Sequence, residues 1–264
     1  MSDLASPAAE AKGPSVATIK IATIVVLLAA WQLIAVSGLL YKGLVPPPLA
    51  VASALLTELS GAVLYRDLGI TLFTSFSGFV IGSLIALLVG IWLGSSTFFR
   101  RAFEPYILAL AGTPKIIFLP ILFLVFGLGV ESKIAKSAMS AFFPVVFSTI
   151  SGYLQIRLIL LRVGDSFHLR WLQKVRMIYL PAMLPSLLVG LRLGLAMSII
   201  GVLSAEIAYS DAGLGYRLMR YSDQFQIPSM YATIIVIFAL ASLVNAGFNH
   251  FQRSRLRYLE RPSE

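Results

Sequence analysis

The chain has 264 residues, of which 58% are hydrophobic and only 12% are charged, whereas about a quarter of the residues in a soluble domain carry a charge. Its long apolar stretches exceed what a soluble core of this size buries, so they must face lipid or other buried helices, and the composition predicts an all-α, polytopic membrane protein. The lack of cysteine excludes a disulfide framework and a thiolate metal site, and two histidines argue against a multi-histidine metal centre.

The first 16 residues are polar and rich in small side chains, and an apolar run follows at residues 17–40. A cleaved signal peptide is an alternative interpretation of this run. The run is longer than the roughly 7 to 15 apolar residues of a signal core, and no Ala-x-Ala cleavage site follows it. We therefore predict a cytoplasmic N-terminal tail (residues 1–16) and a retained transmembrane helix.

Further stretches are apolar enough to cross a membrane as helices, since about 20 residues span the hydrocarbon core. Together with the first run they predict about six spans in a transmembrane domain of residues 17–252; the others lie at residues 68–95, 104–127, 133–153, 177–208 and 229–250. The third span contains Pro114, Lys115 and Pro120, so it should be kinked or partly unwound. The fifth is too long for one straight span, and we expect a turn around residues 180–185.

The distribution of the cations predicts the orientation. With the N-terminus in the cytoplasm, 13 Lys and Arg lie in inner segments and 5 in outer segments, while Lys115, Lys136 and Arg192 lie within spans. This asymmetry follows the positive-inside rule and predicts a multi-pass protein of the bacterial inner membrane, with both termini, including the tail of residues 253–264, in the cytoplasm. Topology and contact with membrane lipid then explain the net charge of +9, and no nucleic-acid partner is expected.

Two of the outer segments have recognisable patterns. Residues 44–61 begin with three prolines, Pro46 to Pro48, and continue with residues that favour a short helix on the membrane surface. Residues 209–228 are polar and contain Gly213 and Gly215, which favour a sharp turn. This second segment either lines the external mouth of a solute path or is an ordinary connection.

The longest inner segment, residues 153–176, carries five cations and is too polar to span a membrane. Its apolar residues recur at helical spacing, which predicts one or two short amphipathic helices outside the bilayer. Such a helix either rests on anionic lipid at the membrane surface or presents a face to a partner protein.

Residues 152–185 and the segment from Gly190 to Tyr216 resemble the cytoplasmic loop and fifth helix of binding-protein-dependent ABC importer permeases, most closely the nitrate, sulfonate and taurine group. Three more segments are similar to that family and follow its order: LVPPPLAV at residues 44–51, TPKIIFLPILFLVFGLG at 113–129 and SAFFPVVFSTISG at 140–152. The resemblance implies the type I importer permease fold, also called MetI-like.

In that family the loop contains a Glu-Ala-Ala motif and a later glycine, and it forms a coupling helix that docks onto the ATPase subunit. Counted back from Leu180-Pro181, the motif falls on residues 162–164 and the glycine position falls on His168, so the signature acid and glycine are missing. Either a second permease carries the standard motif, or the ATPase groove differs to match. The resemblance implies that the ATPase contacts come from Arg162, Val163, Gly164, Asp165, Phe167, His168 and Arg170.

The sequence lacks the Gly-x-x-x-x-Gly-Lys-Ser/Thr loop that cradles nucleotide phosphates, so ATP must be bound by partner subunits, and we expect no cofactor on this chain. There is also no Ser-His-Asp order or metal-ligand cluster, and we do not expect an enzyme. The resemblance implies three kinds of partner: two ABC ATPase subunits, a second permease subunit in a homodimer or heterodimer, and a periplasmic or lipid-anchored solute-binding protein.

Charged residues inside a membrane are costly and mark functional positions. Lys115 either satisfies a backbone carbonyl freed by Pro114 or faces a central cavity, and Arg192 either reaches the inner surface or faces the solute path. Glu206, near the outer end of the fifth span, either forms an ion pair or contacts a solute-binding protein. The resemblance implies that the fifth span also lines the solute path, and the predicted translocation path consists of Lys115, Arg192, Met197, Ser198, Leu203 and Glu206.

Two other protein classes are alternatives. A secondary transporter would show inverted repeats with paired broken helices, and a membrane-embedded enzyme would need acid, base or nucleophilic groups converging at one membrane face. Neither pattern is recognisable in the sequence. The internal cations indicate a small anion such as a sulfonate, taurine, nitrate or an aromatic carboxylate, while the family resemblance equally admits neutral or cationic solutes.

Overall fold

The computed structural model of the protein describes residues 15–38 and 43–256. Most of the predicted N-terminal tail, the end of the first predicted span and residues 257–264 of the predicted C-terminal tail lie outside the described residues. The described ranges form α-helices with short connections: α1 (Val16–Ser37), α2 (Pro48–Ser60), α3 (Ala62–Ser95), α4 (Thr97–Gly112), α5 (Leu119–Phe126), α6 (Val130–Leu154), α7 (Leu158–Ser166), α8 (Trp171–Lys174), α9 (Leu180–Ala208), α10 (Leu214–Asp223) and α11 (Ile227–Leu256).

Within these ranges, five helical segments are long and apolar enough to cross a membrane: α1, α3, α6, the segment from α8 through α9, and α11. A sixth candidate consists of α4 and the segment Lys115–Phe126, which are bent by 94° relative to each other. The break follows Gly112, where Pro114 cannot donate a backbone hydrogen bond and a 3-10 turn at Lys115–Phe118 takes over. The predicted number of spans and the predicted break in the third are both confirmed.

The expected turn at the beginning of the fifth span was wrong. Residues 180–185 are helical, and a single π-helical turn at Val175–Tyr179 joins α8 to α9. Pro181 falls in the first turn of α9, where its missing N–H is tolerated. The wider π turn before it replaces the regular α-helical bonding to which Pro181 cannot donate. The helix is therefore continuous from Trp171 to Ala208.

The short helices lie at opposite ends of the bundle. α2 and α10 lie at the end where α3 begins and α9 stops, which we name the α10 end, and α7 and α8 lie at the other, the α7 end. Trp31 of α1 donates to the Pro46 carbonyl at 3.1 Å and stacks on Tyr231 at the start of α11. α1 therefore starts, and α11 stops, at the α7 end.

The core of the bundle is α6, which lies between α3 and α9. Glycines permit the close approach: a Cβ on Gly82 of α3 would lie 2.3 Å from the Ala138 carbonyl oxygen, and one on Gly190 of α9 would lie 2.3 Å from the Ser148 Cβ. The outer surfaces of the bundle remain apolar, and α1 has no buried residue. Such surfaces are suited to lipid or to neighbouring membrane helices.

Candidate functional site

Helix α7 is fixed to the beginning of the long fifth span. Gly164 is buried against Ile178, since a Cβ there would lie 2.6 Å from the Ile178 Cδ1. Asp165 forms an ion pair with Lys174 of α8. The backbone N–H of Leu169 donates to the Gly164 carbonyl at 3.0 Å. The first two contacts tie the predicted loop helix to the π turn at Val175–Tyr179 and to α8, which both precede α9.

His168 lies just after α7 and has a φ of +50°, in the left-handed region. This is the position at which the resembling family has glycine. A side chain is disfavoured in this conformation, although histidine is one of the residues that adopts it more readily than most. The left-handed backbone conformation therefore explains why glycine would be favoured at this position.

The surface around α7 combines large apolar side chains with cations. Leu158, Phe167, Trp171 and Leu172 are each at least 70% exposed, although all four are large and apolar. We name them, with the exposed Arg162 and Arg170, the α7 surface. Of the residues predicted to couple to an ATPase, Gly164 is buried and the following are exposed: Arg162, Val163, Asp165, Phe167, His168 and Arg170.

A cavity of about 450 Å³ lies between the Lys115 turn, α6 and α9, which we name the lysine cavity. Lys115 Nζ donates to the Ala111 carbonyl at 2.8 Å and lies 4.8 Å from the centroid of the Phe143 ring. Lys115 therefore satisfies a carbonyl freed by the break, as one of its two interpretations predicts, and it also lines the lysine cavity. Met197 lines the same cavity.

Lys136 also lines the lysine cavity and is only 3% exposed. Its Nζ lies 3.4 Å from the Ser140 Oγ, and Ser140 in turn donates to the Lys136 carbonyl at 3.0 Å. Among the described residues, no carboxylate lies within 4 Å of the ammonium group of Lys136 or of Lys115. Sequence reasoning placed Lys136 inside a span but did not include it in the predicted path.

The structure does not bring the remaining predicted path residues together with Lys115 and Met197. Arg192 donates to Asn245 of α11 at 3.1 Å, and Arg192 and Leu203 line a separate groove between α9 and α11. Ser198 is fully buried and donates to the Leu195 carbonyl at 2.7 Å.

Glu206 is 1% exposed, which contradicts the predicted contact with a binding protein. Its carboxylate accepts from the Thr71 hydroxyl at 2.9 Å and from the Gly215 N–H at 2.9 Å, and the ion-pair alternative is also wrong among the described residues. Gly213 has a φ of +111°, and a Cβ there would lie 2.1 Å from the Glu206 Oε1. Glu206 therefore fixes the segment that leads into α10.

A second set of contacts fastens α10 to α2 and α3. Arg217 donates to Asp67 at 3.0 Å and, through its Nε, to Glu58 at 3.0 Å. Tyr221 also donates to Glu58. Burial alone would lower the pKa of Arg217, but its hydrogen bonds to Glu58 and Asp67 outweigh burial and raise that pKa. Burial, together with the bond to Glu58, raises the pKa of Tyr221, so the phenol keeps its proton and remains a donor.

These contacts also anchor the connection between α9 and α10, where Lys133 of α6 donates to the Ala212 carbonyl at 3.0 Å. A cavity of about 770 Å³ opens beside this connection, lined by Glu206, Tyr209, Asp211, Arg220 and Asp223 among others. Residues 209–228 are thus more than an ordinary connection, because they contain α10 and line a cavity at the α10 end. Sequence reasoning missed the roles of Glu58, Asp67, Thr71, Lys133 and Arg217.

The comparisons with known proteins agree with this architecture. In the part of the chain that the structure describes, five candidate spans and one broken candidate span form the bundle of a multi-pass membrane protein. The chain belongs to the family described as "Binding-protein-dependent transport system inner membrane component", whose profile matches residues 78–257.

Among its relatives are the putative aliphatic sulfonates transport permease protein SsuC of Bacillus subtilis (28% identical, covering 88% of this chain and 84% of the relative) and the taurine transport system permease protein TauC of Escherichia coli (29% identical, covering 89% and 88%). A structure of the MetNI methionine ABC transporter in an inward-facing conformation is similar, with a TM-score of 0.65 at 20% identity, over 73% of this chain and 95% of the matched chain. That similarity confirms the MetI-like fold.

Proposed function

We propose that this chain is the permease subunit of an ABC importer and that the α7 surface docks onto an ATPase subunit. Leu158 of α7 and Phe167 directly after it lie outside the spans, and their exposure carries this proposal, since large exposed apolar side chains on a short helix are typical of a protein-binding face. The cations Arg162 and Arg170 suit an acidic rim on the partner.

The same contacts supply a route for coupling. Gly164 and Asp165 tie α7 to α8 and to the π turn, and that segment continues into α9. Met197 of α9 lines the lysine cavity. A displacement of α7 by the ATPase therefore reaches the cavity through one continuous helix, and this connection supports alternating access driven from the α7 end.

The orientation and the other partners follow from the same proposal. The α7 end is cytoplasmic, with both termini, and the α10 end faces a solute-binding protein. A second permease subunit covers the exposed apolar side chains beside the lysine cavity, among them Ile116 and Ile200. The transported solute is a small anion of the sulfonate or taurine kind, which the two lysines and the names of the relatives support.

Co-purification tests the docking surface. When the chain is expressed with its ATPase and binding-protein partners, Phe167→Glu should abolish recovery of the ATPase on the tagged chain. Phe225→Glu is the matched control, because Phe225 is 84% exposed at the opposite end of the bundle. Recovery of equal amounts of ATPase with both variants would contradict docking through α7.

Reversing Arg162 or Arg170 to Glu should lower transport per ATP hydrolysed without unfolding the spans.

A further inference from the structure

We infer that the lysine cavity is a binding subsite for a small organic anion, whose charged group lies between the ammonium groups of Lys115 and Lys136. This inference depends on the proposed function and deepens it by giving the solute a position and a chemistry. The nearby cavities do not offer the same set of groups: the groove between α9 and α11 has Arg192 already paired with Asn245, and the α10-end cavity includes three carboxylates.

Lys136 supplies the first step of the argument. An ammonium group held inside a membrane protein is costly unless a counter-charge or several acceptors accompany it. The Lys136 side chain is almost completely buried, and among the described residues its Nζ has one long contact, to the Ser140 hydroxyl. The hydroxyl proton of Ser140 is already committed to the Lys136 carbonyl. An acceptor that approaches from the cavity would satisfy the remaining donors.

Lys115 brings a second ammonium group to the same cavity. A neutral acceptor such as water would accept a hydrogen bond but would not balance the charge of the two groups. Lys115 has one backbone acceptor and an aromatic ring, but no carboxylate within 4 Å among the described residues. Two like charges that line one cavity repel each other electrostatically. An anion between them would turn this repulsion into two attractions, which no neutral solute achieves.

The rest of the wall defines the apolar part of the ligand. Apart from the two lysines, the cavity is lined by two serines, both of whose hydroxyls donate to backbone carbonyls, and by apolar residues. The apolar residues include Ile116, Phe143, Leu193, Met197 and Ile200. About 450 Å³ is within the usual range of small-molecule sites. The ligand class is therefore an anion with a short alkyl or aromatic group, such as an alkanesulfonate or a carboxylate.

The position of the cavity suits a transported solute. It extends along α9 from Leu193 to Ser204, and α9 stops at Ala208. At 1.5 Å per residue, the cavity lies about 6 to 22 Å from the α10 end of that helix. Gly201 of α9 lies against the Lys136 carbonyl, so Lys136 is about 10 Å from the α10 end of that helix, and a solute that enters from this end would reach it in the first half of its crossing.

Thermal unfolding of the purified complex with its ATPase subunits tests the inference. We would titrate sodium methanesulfonate at constant ionic strength, with bulky gluconate as the replaced anion, and use dimethyl sulfone as a neutral probe of the same size. The Tm should rise by at least ~2 °C with methanesulfonate and stay constant with dimethyl sulfone. Lys115→Gln, which keeps a donor for Ala111, and Lys136→Met should each weaken the apparent affinity at least ~10-fold.

Arg66→Met is the matched control, because it removes the same charge from an exposed position at the α10 end and should keep the full rise in Tm. Any of three results would overturn the inference: an equal rise in Tm with dimethyl sulfone, no rise in the Tm of the unmodified complex, or an unchanged rise in Tm in both lysine variants. If Lys136→Met does not fold, Lys115→Gln decides alone, since Lys115 is only partly buried. Failure of the proposed function has a different readout: the ATPase would not co-purify with the chain, and this result does not depend on the effect of the anion on Tm.

Discussion

The left-handed conformation of His168 makes the end of α7 sensitive to the residue at this position. In this conformation a side chain costs about 1–2 kcal/mol relative to a helical residue, whereas glycine has no Cβ and avoids the penalty. The N–H of Leu169, next in the chain, donates to the Gly164 carbonyl and closes the end of α7. Opening of this bond is therefore sensitive to the residue at position 168.

We expect His168→Gly to stabilise this turn by up to ~1 kcal/mol. The gain is smaller than the full penalty of a side chain, because glycine has more conformational freedom in the opened loop, which offsets part of the stabilisation. Hydrogen exchange at the Leu169 amide should slow by up to ~5-fold. Ser166→Gly, at a helical position of α7, should accelerate the same exchange, since glycine is unfavourable within a helix. Equal responses of the two variants would refute this explanation.

Arg217 is the residue on which the attachment of α10 depends. Removing one partner of a buried ion pair leaves an uncompensated charge, and Arg217 serves two buried acids. Arg217→Met should therefore lower the free energy of unfolding by about 3–5 kcal/mol, measured by thermal unfolding in detergent. Restoring neutrality with Glu58→Gln and Asp67→Asn in the same chain should recover part of that loss.

The control for this prediction is Arg220→Met, three residues along α10. Arg220 is exposed, and no ion pair to it is found among the described residues. We expect its substitution to change stability by less than ~0.5 kcal/mol. A similar loss for both arginines would mean that the total charge of α10, and not the buried pairs, holds it in place.

Sequence reasoning found some of these residues and missed others for a definite reason. Lys115 beside Pro114 is a local signal, because a proline and a lysine inside an apolar run stand out in the sequence. The contact of Thr71 with Glu206 joins residues 135 positions apart, and that of Arg217 with Glu58 joins residues 159 apart. No local pattern carries such pairs, so the α10 attachment is visible only once the fold is known.

At the scale of helices, close packing of α3 on α6 is the feature most open to a test. Gly82 faces the Ala138 backbone carbonyl, which cannot move independently of α6, so a methyl group at position 82 forces the two helices apart. Gly69 lies on the same helix, and a Cβ added there would have no atom within 4 Å. The two glycines therefore form an internal comparison.

Gly82→Ala should lower the Tm of the purified chain, whereas Gly69→Ala should leave it unchanged or raise it, because alanine favours a helix interior over glycine by about 1 kcal/mol. Thermal unfolding of both variants in the same detergent measures the difference. Equal changes in Tm for Gly69→Ala and Gly82→Ala would show that the contact of Gly82 with α6 does not decide the outcome.

The helices themselves were largely predictable from hydropathy. Predicted spans and observed helices agree within a few residues for α6 and α11, since a run of apolar residues in lipid has no other way to satisfy its backbone. α3 begins six residues before the predicted span, because its first turns lie beneath α2 and α10 and carry the polar Asp67. The π turn at Val175–Tyr179 was not predictable, since no residue type marks it.

For the whole molecule, the proposal places α7 in the cytoplasm and the connection between α9 and α10 outside. The chain has no cysteine, so a single introduced thiol reports its own position. Ser166→Cys in α7 and Asp211→Cys beside α10 are both exposed sites. A membrane-impermeant maleimide should label Asp211→Cys in intact cells and Ser166→Cys in inverted vesicles. The reverse pattern would contradict the proposed orientation.

The most direct test of the central claim is uptake by proteoliposomes. Liposomes would contain the chain with its second permease subunit and ATPase subunits, ATP would be supplied at the α7 side, and the loaded binding protein at the α10 side. We predict that solute accumulates only when ATP and a hydrolysis-competent ATPase are both present. Accumulation by the permease chain alone, driven by an ion gradient with no ATPase in the membrane, would contradict the account.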